Sequence, residues 1–163
     1  MRLLLVVMCM FIAFMSHGQL NVGDTAPEFS GKTLDKKDYS LSKAVEAKQV
    51  TVINFWFAAC APCIGEIKHL RALREKYKDN KNIRFIGLSI DNPKDMKALK
   101  KFLEVRNFPY EHIINSKSIA NLYKIEAYPT NIVIGPDGKI VFRTGSIDNM
   151  DALDKVIESI IIK

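Results

Sequence analysis

The segment that decides the fold is residues 50–63, which read Val-Thr-Val-Ile-Asn-Phe-Trp-Phe-Ala-Ala-Cys-Ala-Pro-Cys. Its first eight residues are rich in β-branched and aromatic side chains and are too continuously apolar for a surface strand, so they predict a central strand covered on both faces. A helix should follow at once, because proline is tolerated in a first turn and apolar residues then recur at helical spacing to about Lys78. Cys60 and Cys63 therefore lie at the start of a predicted helix.

Two thiols at this spacing can form and reopen a disulfide with little movement of the backbone, which suits a redox centre. A structural staple is disfavoured, because closing a loop of two intervening residues removes almost no entropy from the unfolded chain. A helix N-terminus also carries a partial positive charge and free backbone N–H groups, which favour the thiolate form of Cys60. The pattern thus predicts a chemically active dithiol.

Strand-like and helix-like segments alternate along the rest of the chain, which predicts one α/β unit without a second domain. Residues 83–90 form the next predicted strand and residues 93–105 a helix. A short extended piece near Ile113 precedes a short helix, in which we expect Ile119, Leu122 and Tyr123 to point inward. Residues 130–134 and 139–143 then flank a turn and predict an antiparallel hairpin. A closing amphipathic helix follows, with apolar positions at Met150, Leu153, Val156, Ile157 and Ile160.

The N-terminal segment is typical of a secretory signal peptide. Arg2 supplies a positive charge, residues 3–15 are thirteen apolar residues without a break, and Ser16-His17-Gly18 fits a cleavage signal. A helix that spans a membrane needs about 20 apolar residues. We therefore expect residues 1–18 to be a signal peptide cleaved near Gly18-Gln19, and residues 19–163 to be one periplasmic or secreted domain without stable membrane insertion. An uncleaved N-terminal membrane anchor is the alternative.

The charge pattern does not indicate a nucleic-acid partner. The formal net charge is +6, which becomes +5 without Arg2. The basic residues are distributed along predicted helix faces, which is typical of solvated helix surface. His69 and His112 have no ligand-like spacing, so we predict no metal and no other cofactor, and we interpret both as exposed or hydrogen-bonded structural histidines.

Four short motifs accompany the dithiol: Val-Gly-Asp-Thr-Ala-Pro-Glu-Phe at 22–29, Asn-Phe-Trp at 54–56, Tyr-Pro-Thr at 128–130 and Asp-Gly-Lys-Ile at 137–140. With the order of the predicted elements, they resemble the TlpA/ResA-like extracytoplasmic thiol-disulfide oxidoreductases of the thioredoxin superfamily, over residues 21–160. The resemblance implies a thioredoxin-like α/β fold with a central mixed β-sheet flanked by helices. It further implies an N-terminal extension and a short insertion before a hairpin that begins with a cis-proline.

The resemblance also assigns roles at the site. It implies that Cys60 is the exposed nucleophile, Cys63 the buried resolving thiol, and Cys60–Cys63 the disulfide of the oxidised form. Pro129 is implied to be a cis-proline facing the dithiol, where the backbone of Tyr128 pairs with an extended substrate. An ordinary trans proline opening an edge strand is the competing interpretation. We interpret Phe57 as core and expect the substrate-binding residues to be Trp56, Tyr128, Pro129 and Thr130.

The proton route differs from that of thioredoxin. Asn54 stands two residues before Trp56, where thioredoxin has a buried acid, and an amide cannot take up a proton. Glu66 follows Cys63 by three residues on the same helix, and several ResA-like proteins carry a glutamate there, so we expect Glu66 to assist proton transfer to and from Cys63. The competing interpretation is that Glu66 only complements the helix N-terminus.

The predicted function is that of an extracytoplasmic thiol-disulfide oxidoreductase acting on protein thiols and disulfides. Ala61-Pro62 supplies neither a positive charge nor a histidine donor to the thiolate, so we predict a reductant. Reducing members of the family serve cytochrome c maturation or other extracytoplasmic proteins, which implies a membrane electron donor.

Three alternatives use the same fold. A peroxiredoxin-like thiol peroxidase would need threonine at Phe57 and proline at Ile53. A copper carrier of the Sco type would need one more residue between the cysteines and a suitably placed histidine. A non-catalytic binding or assembly domain would have no use for both thiols together with Trp56 and Pro129.

Overall fold

The residues that the structure describes fold into seven strands and five helices. The structure is a computed structural model, and it describes residues 19–92, 94, 96–108, 110–145 and 149–161. The strands are β1 (Ser30–Lys32), β2 (Asp38–Ser40), β3 (Val50–Trp56), β4 (Ile83–Ser89), β5 (Glu111–Ile113), β6 (Thr130–Ile134) and β7 (Ile140–Thr144). The helices are α1 (Leu41–Glu46), α2 (Ala61–Lys76), α3 (Met96–Arg106), α4 (Lys117–Leu122) and α5 (Met150–Ile161).

A five-stranded mixed sheet forms the centre of the fold, in the order β5-β4-β3-β6-β7. The central strand β3 pairs in parallel with β4 and antiparallel with β6, and every residue of β3 is buried. This confirms the prediction of a central strand covered on both faces. The hairpin of β6 and β7 is antiparallel, as predicted, and β1 and β2 form a separate two-stranded sheet.

The two faces of the sheet pack against different helices. Because side chains alternate along a strand, Val50 and Val52 point to one face and Ile53 and Phe55 to the other. The first pair packs in one cluster with Leu70 and Leu73 of α2 and with Leu153 and Ile157 of α5. The second pair packs with Leu41 of α1 and Ala120 of α4. The long helix α2 therefore lies over the same face as Asn54 and Trp56.

One row of polar positions crosses the α2 face of this sheet. Residues that are paired laterally in a sheet project to the same face. The strand registers align, from edge to edge, His112, Gly87, Asn54, Asn131 and Thr144. The four side chains of this polar row are buried. The fold thus places hydrogen-bonding groups inside an otherwise apolar layer, directly under α2.

The predicted thioredoxin-like α/β arrangement is confirmed, with differences in detail. Helix α3 begins at Met96, later than predicted, and Pro93 and Asp95 lie outside the described residues. Leu122 was expected to point inward but is 47% exposed, because the short helix α4 buries only Ala120 fully. The N-terminal extension, for which no elements were predicted, contains β1, β2 and α1.

The predicted signal peptide, residues 1–18, lies outside the described residues. In the part of the chain that the structure does describe, none of the helices has the length and apolar character needed to cross a membrane.

Candidate active site

The dithiol lies where the chain leaves β3 and enters α2. Cys60 is the N-cap residue of α2, and its Sγ accepts a hydrogen bond from the backbone N–H of Cys63 at 3.1 Å. The structure contains the Cys60–Cys63 disulfide, with the two Cα atoms 5.3 Å apart. Pro62 occupies the first turn of α2, where its missing N–H costs no intrahelical hydrogen bond. The helix N-terminus is therefore directed at the Cys60 sulfur.

Cys60 is more buried than the resemblance implies. It is 4% exposed and Cys63 is 2% exposed, so in the disulfide form the two differ little. The Cys60 side chain turns into the helix N-terminus, and Phe57, Ala58 and Tyr128 pack against the cluster that contains both cysteines. Exposed residues at the rim are Ala59, Ala61 and Pro62.

An aspartate that sequence reasoning missed holds the loop before the dithiol. The Asp91 carboxylate accepts hydrogen bonds from the backbone N–H of Ala58 at 2.8 Å and from the Ser89 hydroxyl at 2.7 Å. Ser89 ends β4, which runs parallel to β3, so the carboxyl ends of the two strands meet at the same edge of the sheet. A Ser-x-Asp pattern that begins at the last residue of the strand next to β3 was the signal available for finding Asp91.

The Tyr128–Pro129 peptide bond is cis, and the sheet register brings it close to the dithiol loop. Thr130 pairs with Phe55, so Pro129 lies beside the end of β3 from which the chain runs to Cys60. The Thr130 hydroxyl donates a hydrogen bond to the carbonyl oxygen of Ala127 at 2.8 Å. Because Pro129 and Thr130 are buried, Tyr128 is the partly exposed residue of this three-residue segment.

The structure reverses the expected positions of Trp56 and Phe57. Trp56 is fully buried and packs with its ring centroid 4.6 Å from that of Phe108. Phe57, which was expected in the core, is partly exposed and meets Tyr128 edge to face at 5.4 Å. Trp56 therefore packs in one buried cluster with the two cysteines, whereas Phe57 and Tyr128 form the surface beside them.

Glu66 is buried in a network of neutral amides. Its side chain is fully buried, and its Oε1 accepts from Asn54 Nδ2 at 2.6 Å while its Oε2 accepts from Asn131 Nδ2 at 3.0 Å. Asn54 Nδ2 also donates to Asn131 Oδ1 at 2.9 Å, and Asn54 Oδ1 accepts from the Tyr110 hydroxyl at 2.7 Å. Sequence reasoning found Glu66 and Asn54 but missed Asn131 and Tyr110.

Burial raises the pKa of Glu66 from 4.5 to about 7, and the hydrogen bonds from Asn131 and Asn54 oppose this rise. Burial disfavours the ionised carboxylate, whereas amide donors favour it. Because the resulting pKa is close to neutral, Glu66 can both accept and return a proton at ordinary pH. Glu66 follows Cys63 by three positions on α2, so the two buried side chains lie on the same side of this helix.

His112 differs from the expectation that it is exposed or hydrogen-bonded. It is 5% exposed, and within the described part of the chain neither ring nitrogen has a hydrogen-bond partner. Burial lowers its pKa to about 3, so the ring is neutral. Aromatic rings enclose it, with Trp56 at 5.2 Å and Tyr110 at 5.0 Å. His69 is exposed, as predicted.

A disulfide at a helix N-terminus, beside a cis-proline on a five-stranded mixed sheet, defines the thioredoxin-like class of thiol-disulfide oxidoreductases. Comparison with known proteins agrees with this class. Residues 22–143 match the AhpC/TSA family. The chain is 33% identical over 125 residues to the thiol-disulfide oxidoreductase ResA of Oceanobacillus iheyensis, a match that covers 73% of this chain and 62% of that relative.

A second ResA, from Bacillus thuringiensis strain Al Hakam, is 31% identical over 129 residues, covering 78% of this chain and 72% of the relative. A solved thiol-disulfide oxidoreductase from Bacteroides fragilis superposes with a TM-score of 0.70 at 27% identity, covering 82% of this chain and 99% of that one. The chain therefore belongs to the AhpC/TSA family, as a ResA-like member of the thioredoxin superfamily.

We expect the buried carboxyl group of Glu66 to make stability depend on pH. Its pKa is raised in the folded state, so the folded protein binds the proton more tightly than the unfolded chain between pH 4.5 and about 7. The free energy of unfolding should therefore fall as pH rises through this window, by roughly 3 kcal/mol from this group. Urea denaturation at pH 5 and pH 8 measures the effect in the wild type and in Glu66→Gln.

The quantity to compare is the change in the free energy of unfolding between pH 5 and pH 8, because other titratable groups contribute equally to the two proteins. The Glu66→Gln variant should lose less stability than the wild type between pH 5 and pH 8. Identical losses in the two proteins would show that Glu66 titrates normally.

Proposed function

We propose that this protein is an extracytoplasmic reductant of disulfides in other proteins. The observation that carries the proposal is the Cys60–Cys63 pair at the N-terminus of α2, with a buried carboxyl group one turn further along the same helix. Thiol-disulfide exchange needs an activated thiolate, a second thiol within reach, and a group that handles the proton of that second thiol. The site contains a candidate for each requirement.

The reaction begins with the reduced protein. The Cys60 thiolate attacks one sulfur of a substrate disulfide, which forms a mixed disulfide and releases the other substrate sulfur as a thiolate. Cys63 then loses its proton and attacks the Cys60 sulfur, which releases the second substrate thiolate and forms the Cys60–Cys63 bond. Two electrons have passed to the substrate. The helix N-terminus and the N–H of Cys63 stabilise negative charge on Cys60.

Glu66 accepts the proton of Cys63 in the second step and returns it when the dithiol is regenerated. Asn54, at the position of thioredoxin's acid, donates a hydrogen bond to Glu66 and takes no proton itself. A carboxyl group with a pKa of about 7 is matched to transfer near neutrality.

Substrate is bound at the surface made by Phe57, Tyr128 and the exposed rim of Ala59, Ala61 and Pro62. The cis peptide before Pro129 sets the direction of the Tyr128 backbone beside the dithiol loop, so that an extended peptide can align along it. Phe57 and Tyr128 offer apolar edges that suit a protein substrate. Trp56 contributes by supporting the dithiol, since its ring is fully buried.

The N-terminal signal peptide directs residues 19–163 to the periplasm or the exterior, and a membrane protein supplies the electrons that regenerate the dithiol. An oxidising compartment makes such a supply necessary, because thiols there do not stay reduced without a dedicated donor. A role in cytochrome c maturation would fit a reductant of this kind.

The Cys63→Ala variant should trap substrates on Cys60. Without the resolving thiol, a mixed disulfide formed by Cys60 persists, and discrete adducts should appear on non-reducing gels when the full chain is expressed in its native compartment. The matched control is Cys60→Ala, which retains one thiol but lacks the nucleophile and should trap far less. The absence of adducts with Cys63→Ala would favour the binding-only alternative, and equal trapping by both variants would contradict the assignment of Cys60 as the nucleophile.

The reduction potential tests the direction of electron flow. We expect the Cys60–Cys63 couple to equilibrate with glutathione buffers at roughly −250 mV or below, nearer to thioredoxin than to a strong oxidant of about −120 mV, because Ala61-Pro62 adds no positive charge or donor to the thiolate. A value above about −180 mV would contradict a reducing role.

A further inference from the structure

Tyr110 lies at the end of the hydrogen-bonded chain that leads to Glu66. Its hydroxyl donates to Asn54 Oδ1 at 2.7 Å, although Tyr110 belongs to the segment before the edge strand β5 and lies 56 positions after Asn54 in the sequence. The ring therefore reaches across β4 to arrive at the central strand. The hydroxyl of Tyr110 thus connects to the Glu66 network through Asn54, while its ring packs against Phe108, which borders the cluster that contains both cysteines.

Gly87 provides the space for this reach. It stands between His112 and Asn54 in the polar row, at the centre of β4. A Cβ atom built at Gly87 would lie 2.8 Å from Cε2 of Tyr110 and 2.4 Å from Nδ1 of His112. Real Cβ contacts are longer than this, so any larger residue would displace both rings. A glycine in the middle of a buried strand normally weakens it, and here it lets Tyr110 contact Asn54.

The hydrogen bonds of the network fix both amides in one orientation. Asn54 uses its oxygen for Tyr110, and its two N–H hydrogens for Glu66 and Asn131. Asn131 uses its oxygen for Asn54 and one N–H for Glu66. If the Tyr110 hydroxyl is removed, Asn54 Oδ1 loses its donor in a buried site. A half-turn of the amide, which would present its oxygen to a protonated Glu66, then costs one hydrogen bond less than in the wild type.

We propose that Tyr110 is a positioning residue for Glu66, because its hydroxyl holds Asn54, and through it Asn131, in the orientation that donates to the carboxylate. The proposal rests on the role of Glu66 given under the proposed function. It adds that a residue from the segment before the edge strand β5 influences the protonation equilibrium of the Glu66 carboxyl group.

Burial and the two amide donors set the pKa of Glu66, and among the described residues the titratable rings beside the network are neutral. Strands β3 and β6 present the neutral amides of Asn54 and Asn131, and α2 presents Cys63. Burial, together with the Glu66 charge, holds the pKa of Tyr110 well above its usual range, and burial lowers that of His112 to about 3. Both rings are thus neutral at physiological pH. Further along this layer, Tyr77, the C-cap residue of α2, donates to Asp154 of α5, and Lys76 pairs with the same aspartate.

The test is a pH titration of Glu66 in the Tyr110→Phe variant. The ¹³C-labelled carboxyl group is monitored by NMR in the disulfide form of the protein. Loss of an amide donor to a carboxylate disfavours the ionised form, so the midpoint should move upward by about one pH unit, a tenfold change in the protonation equilibrium. The pH profile of the second step of disulfide exchange should move in the same direction.

Tyr123→Phe is the matched control. Tyr123 is fully buried on the opposite face of the sheet, and its hydroxyl donates to the carbonyl oxygen of Pro27 at 2.7 Å. The variant loses one buried tyrosine hydroxyl without touching the network, so the Glu66 titration should stay at its wild-type midpoint. A shift of equal size in both variants would reflect general loosening of the fold and would overturn the proposal.

An unchanged Glu66 midpoint in Tyr110→Phe would also overturn it. Failure of the proposed function gives a different result: Glu66→Gln would then exchange disulfides with the wild-type rate and pH profile. In that case an upward shift of the Glu66 midpoint in Tyr110→Phe would still support the positioning role.

Discussion

The burial of one carboxylate, that of Glu66, against two neutral amides is the constraint on which the candidate site depends. A carboxylate removed from water without a cation is strongly destabilised, so the group favours its protonated form. Asn54 and Asn131 limit this effect by donating to the two carboxylate oxygens. The sheet therefore carries polar side chains within two fully buried strands, β3 and β6, where apolar residues would pack more easily.

The buried acid of this site, Glu66, belongs to helix α2 and not to the central strand β3. Thioredoxin has an acid two residues before the tryptophan, and the present chain has Asn54 there, with the carboxyl group projecting down from α2. The buried carboxyl group of Glu66 and the sulfur of Cys63 consequently belong to one helix. The helix whose N-terminus faces the Cys60 sulfur also fixes the separation of Cys63 and Glu66.

The sequence predicted those parts of the structure that strong local patterns determine. The apolar run of β3, the periodic apolar positions of α2 and the turn between β6 and β7 each have a single good interpretation, and each was confirmed. The three-residue strands β1 and β2 are too short to show an alternating pattern. The exposure of Leu122 depends on how α4 sits on the sheet, which no local pattern determines.

Sequence analysis predicted the site residues that lie within one local segment, and it missed those that other strands bring to the site. Cys60, Cys63 and Glu66 lie within one helical segment, so their spacing was visible. Tyr110 and Asn131 are brought to Asn54 by strand order and register, across 56 and 77 positions of sequence. The burial of Trp56 could have been predicted, because it continues the alternation of Val52 and Asn54 onto the α2 face, which leaves Phe57 as the first residue beyond the strand.

The most direct test of this account is the rate at which Cys63 resolves a mixed disulfide on Cys60, measured against pH in single-turnover reactions with an aromatic disulfide that releases a coloured thiolate. In the wild type the rate should rise with a midpoint near pH 7, the pKa of Glu66. In Glu66→Gln that midpoint should disappear, and the rate at neutral pH should fall about tenfold or more. Superimposable profiles for the two proteins would contradict the claim that Glu66 accepts the proton of Cys63.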